Sequence, residues 1–367
     1  MALTKYKLGE LIKQRREKYD GLEEIPIKGV AREGFISPKQ DGADLSIYNV
    51  YYLNDFVFNP ARMELNSIAL NTFWDKAICS SLYEIFYITR TDLLLPEYLN
   101  LFIKRDEFAR KCWFEAVGSA RNYFRVADLS EFDIELPDIS TQQKYVDIYK
   151  AMVANQQSYE RGLKDLKLTF DALIDEIKHK ATFKPVGELL QEVDNRNDDG
   201  AITDVHGINI TKQFMPSVAD INGIDLRKYK LVKKNQFAFS GMQTGRDECI
   251  RIALNKNGTP VIISPAYTVF ETKDKSVLEE YTMMWFSRKE SDRRGWFMSD
   301  SSIRSNLDLD RFYEIKLPIP DEKTQKSIVD IFNVYTARRD INEQLKAQIK
   351  DICPMLIRGS LEEGKAQ

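Results

Sequence analysis

An internal repeat constrains the fold of this chain more than any other feature of its sequence. Leu8–Leu11 is similar to Val186–Leu189, and Phe56–Asn59 is similar to Phe237–Ser240. The other matches, in chain order, are Tyr83–Phe86 with Tyr267–Phe270, Arg110–Phe114 with Arg293–Phe297, Leu136-Pro137 with Leu317-Pro318, and Gln143-Lys144 with Gln325-Lys326. Generic patterns aligned by chance would not keep this order. Since the offset also stays between 178 and 184 residues, we interpret the chain as two copies of one unit.

The composition agrees with two folded domains. The chain has 367 residues, which corresponds to about two domains at roughly 150 residues each. Hydrophobic residues make up 43% and charged residues 30%, and this balance excludes a disordered chain. The net charge of −3 excludes a uniformly basic nucleic-acid coat protein. It does not exclude local basic patches, because recognition depends on where the charge lies.

Each copy begins with a domain that mixes short strands and helices. Aromatic and β-branched residues predict strands at Glu24–Lys28, Ser46–Leu53, Asp55–Asn59, Leu82–Thr89, Thr203–Ile210, Gln236–Ser240, Ile250–Leu254, Val261–Ser264 and Tyr267–Glu271. Short helices are predicted at Pro96–Lys111 and Ser276–Glu290. The fold class is therefore α+β, with one α/β domain used twice.

A long helix with a heptad repeat is predicted to end each copy, over about 141–180 and 324–358. The stripe of the first helix comprises Tyr149, Met152, Gln156, Tyr159, Leu163, Leu166, Phe170, Leu173 and Ile177. The stripe of the second comprises Ile328, Ile331, Tyr335, Ile341, Leu345, Ile349, Ile352 and Leu356. Gln156 is the polar member of the first stripe, and Pro354 is expected to kink or close the last turn of the second.

The two apolar stripes are natural partners for each other. Each helix is about 35 residues, or roughly 50 Å, and alone would expose its stripe to water. We predict an antiparallel coiled coil that joins the two domains with pseudo-twofold symmetry. The alternative is two separate amphipathic helices, each lying on its own domain. The predicted boundaries are 1–139 and 182–320 for the domains, and 140–181 and 321–367 for the helices with the C-terminal tail.

Charged and planar side chains collect in turns that follow the strands or precede the long helices. Such side chains can form paired hydrogen bonds with guanine or adenine edges, and lysines can hold phosphates. The candidate DNA-binding residues are Asn59, Arg62, Arg121, Asn122, Ser240, Gln243, Arg246, Arg304, Lys28 and Lys212. Any one of these cations could equally be a solvated or structural charge. Their symmetric placement in both copies is what favours DNA recognition.

The order of these features resembles the specificity subunits of type I restriction-modification systems over nearly the whole chain. Those subunits contain a target-recognition domain, a central helix, a second target-recognition domain and a distal helix. Leu8–Ile12 and Val186–Leu190 resemble the family's domain starts, and Lys234–Met242 followed by Gly245-Arg246 resembles its strand and loop. Ile315–Pro320 with the following Gln325 resembles the turn that opens the helix.

The first copy departs from this pattern in two places. It has Leu136-Pro137 and Gln142-Gln143 but has Ile139 where the family has a second proline. Its loop after Phe58 lacks the Gly-Arg pair, so Arg62 is a less direct equivalent of Arg246.

The resemblance implies a function for each part. Each recognition domain would read one half of a split, asymmetric site in double-stranded DNA through the major groove, and the helices would set the spacer. The subunit would dock two methyltransferase (modification) subunits, largely through its helices, and up to two restriction (motor-nuclease) subunits could then join. The named stripe residues would thus serve both the coiled coil and partner binding. A coiled-coil scaffold that joins two proteins without reading DNA is the alternative.

The sequence gives no support for chemistry by the chain itself. Asn59-Pro60-Ala61-Arg62 has only the first two residues of a methyltransferase target-base motif, and no Gly-x-Gly is present. No phosphate-binding Gly-x-x-x-x-Gly-Lys-Ser/Thr loop occurs either. The four cysteines are far apart, so no zinc or dithiol site is expected. We expect a cytoplasmic, non-catalytic protein with no cofactor, metal or membrane partner.

Overall fold

The computed structural model describes residues 3–32, 34–38, 44–116, 123–218, 223–242, 244–300 and 305–366. The chain divides into two compact units. The first comprises Met1–Tyr159 and Ile341–Gln367, and the second comprises Glu160–Asp340. Each unit therefore takes part of both long helices. In the described residues, no helix is long and apolar enough to cross a membrane.

The first unit contains ten strands among its described residues: β1 (Thr4–Lys7), β2 (Ile12–Arg15), β3 (Gly29–Ala31), β4 (Gly34–Ile36), β5 (Asn49–Tyr52), β6 (Phe56–Phe58), β7 (Ile68–Leu70), β8 (Lys76–Cys79), β9 (Glu84–Ile88) and β10 (Asp133–Leu136). Its helices are α1 (Pro96–Ile103), α2 (Asp106–Ala116), α3 (Val126–Ser130) and the first part of α4 (Ile139–Lys180). The main sheet is antiparallel in the order β2-β9-β6-β7, while β1 pairs with β10, β3 with β4 and β5 with β8.

The second unit contains β11 (Thr182–Pro185), β12 (Leu190–Val193), β13 (Val205–Ile208), β14 (Phe214–Pro216), β15 (Lys230–Val232), β16 (Phe237–Ser240), β17 (Arg251–Leu254), β18 (Val261–Ile263), β19 (Thr268–Thr272) and β20 (Lys316–Ile319). Its helices are α5 (Val186–Leu189), α6 (Thr244–Asp247), α7 (Glu279–Phe286), α8 (Lys289–Met298), α9 (Leu309–Glu314) and most of α10 (Glu322–Asp351). The last helix of the chain, α11 (Cys353–Ala366), belongs to the first unit.

The two units share one topology. The order β12-β19-β16-β17 in the second unit repeats β2-β9-β6-β7 in the first, and β11 pairs with β20 as β1 pairs with β10. Even minor contacts recur: the parallel pairing of β13 with β18 corresponds to a parallel bridge between Ile27 and Ile78. The predicted repeat and the α+β fold class are therefore confirmed.

The glycine at each domain start is explained by a close approach. A Cβ atom at Gly9 would lie 2.9 Å from the Cβ of Ser130, and one at Gly187 would lie 3.1 Å from the Cβ of Tyr313. Any larger residue at these positions would push the turn off α3 or α9.

Two predicted helices and one predicted strand differ from the structure. Pro96–Lys111 forms two helices, α1 and α2, which pack Leu99 and Phe108 into one core cluster. Ser276–Glu290 likewise divides between α7 and α8. Glu24–Lys28 makes only the isolated bridge at Ile27, because Pro26 within it has no N–H group for a sheet ladder.

The turn before each long helix also corrects the alignment of the copies. Pro137 and Pro320 both accept a hydrogen bond from the buried glutamine that lies five residues later. Pro137 therefore corresponds to Pro320, not to Pro318, and Gln142 rather than Gln143 corresponds to Gln325. The proline that the first copy lacks is the first of the pair, not the second.

The long helices run antiparallel within each unit, as the coiled-coil prediction requires. In the first unit, Gln156 Nε2 donates to Asn342 Oδ1 at 3.0 Å, and Lys144 Nζ lies 2.8 Å from Oε2 of Glu363 in α11, which follows α10. In the second unit, the rings of Phe170 and Phe332 are 5.5 Å apart, and a Cβ atom at Gly162, earlier in α4, would lie 3.5 Å from Nη1 of Arg338, later in α10.

The stripe of the second helix differs from the prediction at two positions. Ile341 is 41% exposed, and Asn342 is buried in its place. The heptad explains this, because Tyr335 and Asn342 are seven residues apart. Ile352 lies in the break between α10 and α11, since Pro354 cannot donate to a continuous helix, and it packs against the core of the first unit.

The other predicted stripe residues lie where the pattern places them. The buried ones are Gln156, Phe170, Ile177, Ile328 and Leu356. The half-buried ones are Tyr149, Met152, Tyr159, Leu163, Leu166, Leu173, Ile331, Tyr335, Leu345 and Ile349.

Candidate nucleic-acid interface

The turn after β16 is held against the segment that follows 301–304. Leu307 N donates to Gly241 O at 2.8 Å, and a Cβ atom at Gly241 would lie 1.8 Å from Leu307 O. Only glycine fits at this position. The backbone at the end of β16 is therefore fixed directly against Leu307.

The short helix α6 strengthens the same junction. Gly245 N donates to Ser305 O at 2.8 Å, and a Cβ atom at Gly245 would lie 2.5 Å from that of Ser305. On its other side, α6 packs on α8, where a Cβ atom at Gly295 would lie 3.5 Å from Thr244 Cγ2. Two segments that are 60 residues apart in the sequence thus form one surface in the second unit.

Arg246 lies at the exposed edge of this surface. Its Nε donates to Asp247 Oδ1 at 3.0 Å, and 60% of its side chain is exposed. Asp247 also accepts from Arg251. Burial opposes ionisation of Asp247, but hydrogen bonds from Arg246 and Arg251 outweigh it and lower the pKa of the carboxyl group. Asp247 thereby orients the Arg246 guanidinium while leaving it open to solvent.

The first unit has the same construction. Phe124 N donates to Pro60 O at 2.9 Å, which holds the turn after β6 against the segment that follows 117–122. Asn59 Oδ1 accepts from Ala61 N at 3.1 Å and stabilises this turn. Arg62 begins a short 3-10 helix, Met63–Leu65, that packs on α2. Among the described residues, the exposed Arg62 guanidinium has no ion-pair partner.

Three candidate residues have structural contacts instead of open positions. Ser240 is buried, and its Oγ accepts from Met242 N at 3.4 Å. Lys28 is half-buried, and its Nζ donates to Ser37 Oγ at 3.2 Å. Lys212 is buried, with Nζ 2.5 Å from Asp292 Oδ1 and also bonded to Phe286 O. Because its charge is already paired, Lys212 cannot reach a phosphate without breaking a buried ion pair, and we withdraw it from the candidate contacts.

Four of the candidates lie outside the described residues: Arg121, Asn122, Gln243 and Arg304. Phe124, Met242, Thr244 and Ser305, which lie within two residues of them in the sequence, are described.

A buried glutamine lies at the start of each long helix, and the sequence motif that contains it does not reveal its contacts. Gln142 Nε2 donates to Leu93 O and Pro137 O, and its Oε1 accepts from Leu95 N. Gln325 makes the equivalent three bonds, to Ser276 O, Pro320 O and Leu278 N. The glutamine therefore joins each long helix to the start of a short helix, α1 in the first unit and α7 in the second.

Aspartate caps both long helices as well. Asp138 accepts from Thr141 N at 3.0 Å, and Asp321 accepts from Thr324 N at 3.0 Å. Hydrogen bonds from Ser140 and from the Thr141 backbone lower the pKa of Asp138 to about 2. These capping bonds explain the acids that follow the prolines.

No metal or thiol chemistry is evident in the part of the chain that is described. No group of three His, Cys, Asp or Glu side chains there could hold a metal ion. All four cysteines are buried and free. Burial raises the pKa of the Cys79 thiol to about 12, so this thiol is protonated at neutral pH.

Comparison with known proteins gives a family match within the second copy. Residues 190–351 match the family model described as type I restriction modification DNA specificity domain. No curated protein matches the chain.

Solved structures match nearly the whole chain. The S subunit of a type I restriction-modification system from M. genitalium is 14% identical, with a TM-score of 0.60 over 98% of this chain and 96% of that one. The HsdS subunit from Thermoanaerobacter tengcongensis is 15% identical over 98% and 96% of the two chains, with a TM-score of 0.46. A chain from a structure that describes complex assembly and conformational transition of the type I R-M system is 15% identical, with a TM-score of 0.47 over 98% of each chain.

The likeness to the M. genitalium subunit shows a shared fold, and the family model matches the second copy of the repeat. The resemblance seen in the sequence is thereby confirmed: residues 190–351 match the family of type I restriction modification DNA specificity domains, and the chain has the same fold as a type I specificity subunit.

Proposed function

We propose that this chain is the DNA-recognition subunit of a type I restriction-modification complex, in which each copy reads one half of a bipartite target. The observation that carries the proposal is a junction that occurs in both units: Asn59–Arg62 is bonded to Phe124 in the first, and Gly241 and Gly245 are bonded to Leu307 and Ser305 in the second. Each junction presents an exposed arginine beside a rigid backbone. Arginine is the commonest reader of guanine in the major groove.

The two half-sites differ in sequence under this proposal. Arg246 is oriented by Asp247, whereas Arg62 extends from a 3-10 helix without such a carboxylate among the described residues. Because the same scaffold carries different side chains, the target is asymmetric.

The long helices set the unread spacer between the half-sites and dock two methyltransferase subunits, to which restriction subunits can be added. Recognition then falls to 1–139 and 182–320, and the helical role to 140–181 and 321–367. The antiparallel pairing of the helices supports their role in setting the spacer, because a rigid element fixes the distance between the two recognition domains. The chain supplies specificity, and its partners supply the methyl-transfer and cleavage chemistry.

Gel shifts with the chain bound to its methyltransferase subunit test the proposal. We expect a sequence-selective shift with a duplex that carries the bipartite target and only salt-sensitive, non-selective binding without it. A complex that forms but never shifts DNA selectively would favour a protein scaffold instead. Methyl transfer by the pure chain would contradict the non-catalytic assignment.

A further inference from the structure

Two equivalent pairs of aromatic side chains are exposed on the surface, one in each unit. Trp113 and Phe114 near the end of α2 are 53% and 71% exposed. Trp296 and Phe297 near the end of α8 are 54% and 76% exposed. The sequence shows the repeat Trp-Phe, but its periodicity alone does not show that both rings face solvent.

The rotation of each helix is fixed by the residue that precedes the pair. Cys112 is buried in the core of the first unit. At the equivalent position of α8, a Cβ atom on Gly295 would lie 2.3 Å from Ile250 Cγ1. Since neither helix can turn its aromatic pair inward, the exposed rings are a built feature of both units. Exposed large apolar surfaces that are repeated in this way indicate a binding function.

Both pairs adjoin the candidate nucleic-acid interface. Helix α2 packs on the 3-10 helix that begins after Arg62, and α8 packs on α6, which carries Arg246. Phe124 and Ser305, which follow these helices in the sequence, are bonded to the same turns. Each aromatic pair therefore lies on the helix that supports the candidate reading turn.

The charge around the pairs suits a polyanion. Arg110 and Lys111 are exposed one turn before the first pair, and Arg293 and Arg294 hold the same positions before the second. The Arg294 guanidinium lies 5.9 Å from the Phe297 ring centroid. Apolar rings flanked by cations are typical of side chains that press against bases and sugars while neighbouring arginines hold phosphates.

We propose that these pairs are DNA-contacting wedges, one beside each half-site, that pack their rings against the sugars or bases of the duplex. This inference rests on the proposed DNA recognition. The wedges add contact area with the DNA and favour base-pair steps that deform easily. They therefore contribute specificity at base pairs that no arginine reads.

The test uses the full chain in complex with its methyltransferase subunit and a duplex that carries the target found by methylation mapping. We expect Trp296→Ala with Phe297→Ala to weaken binding to this duplex about tenfold, the size of effect expected when an aromatic contact is lost. Trp113→Ala with Phe114→Ala should do the same at the other half-site.

Phe73→Ala is the matched control. Phe73 is 72% exposed, and its neighbour Asn71 is bonded to Asp55, at the opposite end of β6 from Arg62. This variant should bind DNA like the wild type.

A second readout uses tryptophan fluorescence and does not depend on affinity. Trp296→Phe should keep near-normal binding and lose the part of the DNA-induced quenching that this indole contributes. If both double-alanine variants bind the target duplex with the same affinity as the wild type, the wedge proposal is overturned and DNA recognition is not. Loss of the methyltransferase subunit from those variants on co-purification would overturn them too, in favour of a protein-docking surface. Failure of the wild-type complex to bind the duplex selectively would instead overturn the proposed function.

Discussion

The buried pair Gln156–Asn342 is predicted to hold the long helices of the first unit in register. The two side chains are 8% and 2% exposed, and Gln156 Nε2 donates to Asn342 Oδ1 at 3.0 Å. A buried amide that loses its partner costs about 1–3 kcal/mol, whereas removal of both partners together is close to neutral. Asn342→Leu and Gln156→Leu should therefore each lower the free energy of unfolding of this unit by about 1–3 kcal/mol.

The double variant tests whether the two side chains stabilise the unit through their mutual hydrogen bond. Q156L combined with N342L should lose less stability than the two single variants added together, by about 1 kcal/mol or more. Asn155→Leu is the matched control, because Asn155 is the exposed neighbour of Gln156 and should change stability by less than about 0.5 kcal/mol.

Hydrogen exchange resolved by peptide, together with denaturant unfolding followed by circular dichroism, reports the helices of this unit. Strict additivity of the two single variants would refute the reasoning. A double variant that is stable but binds targets with several spacer lengths would show that the polar pair contributes specificity of register more than stability.

The remaining predictions concern recognition, spacing and pH. Arg246→Ala and Arg62→Ala should each reduce selectivity at one half-site by about 1–3 kcal/mol in competition gel shifts; equal weakening for all sequences would make them phosphate contacts. Insertion of one heptad after Tyr159 should lengthen the permitted spacer or abolish binding, and an unchanged site preference in methylation assays would show that the helix does not measure the spacer. Asp138→Ala should destabilise the first unit by about 1 kcal/mol at neutral pH through the lost cap to Thr141. Because the folded pKa of Asp138 is about 2, below its ordinary 3.8, the stabilisation is complete above pH 3.8 and disappears as the pH falls through 2, so wild type and variant should converge in acid melts; a constant difference down to pH 2 would contradict the cap.

Features that depend on local pattern could be predicted from the sequence. The repeat, the strands around Phe56–Phe58 and Phe237–Ser240, and the helix Ile139–Lys180 follow from periodicity and order, and the structure has them. The break at Ile352 also follows locally, because Pro354 has no N–H group to donate.

Features that depend on distant partners could not be predicted. Lys212 resembled a surface cation until the fold placed Asp292, 80 residues later, beside its ammonium group. The sequence alone aligns Leu136-Pro137 with Leu317-Pro318, whereas the bonds of Gln142 and Gln325 show that Pro137 is equivalent to Pro320. Hydrophobicity favours Ile341 for the stripe, but the polar Asn342 faces inward and pairs with Gln156.

Methylation mapping of the host genome with and without this gene tests the central claim most directly. The proposal predicts that one asymmetric bipartite motif, two short specific sequences separated by a spacer of fixed length, is methylated only when the gene is present. Methylation that does not depend on the gene, or that follows a continuous motif without a spacer, would contradict it.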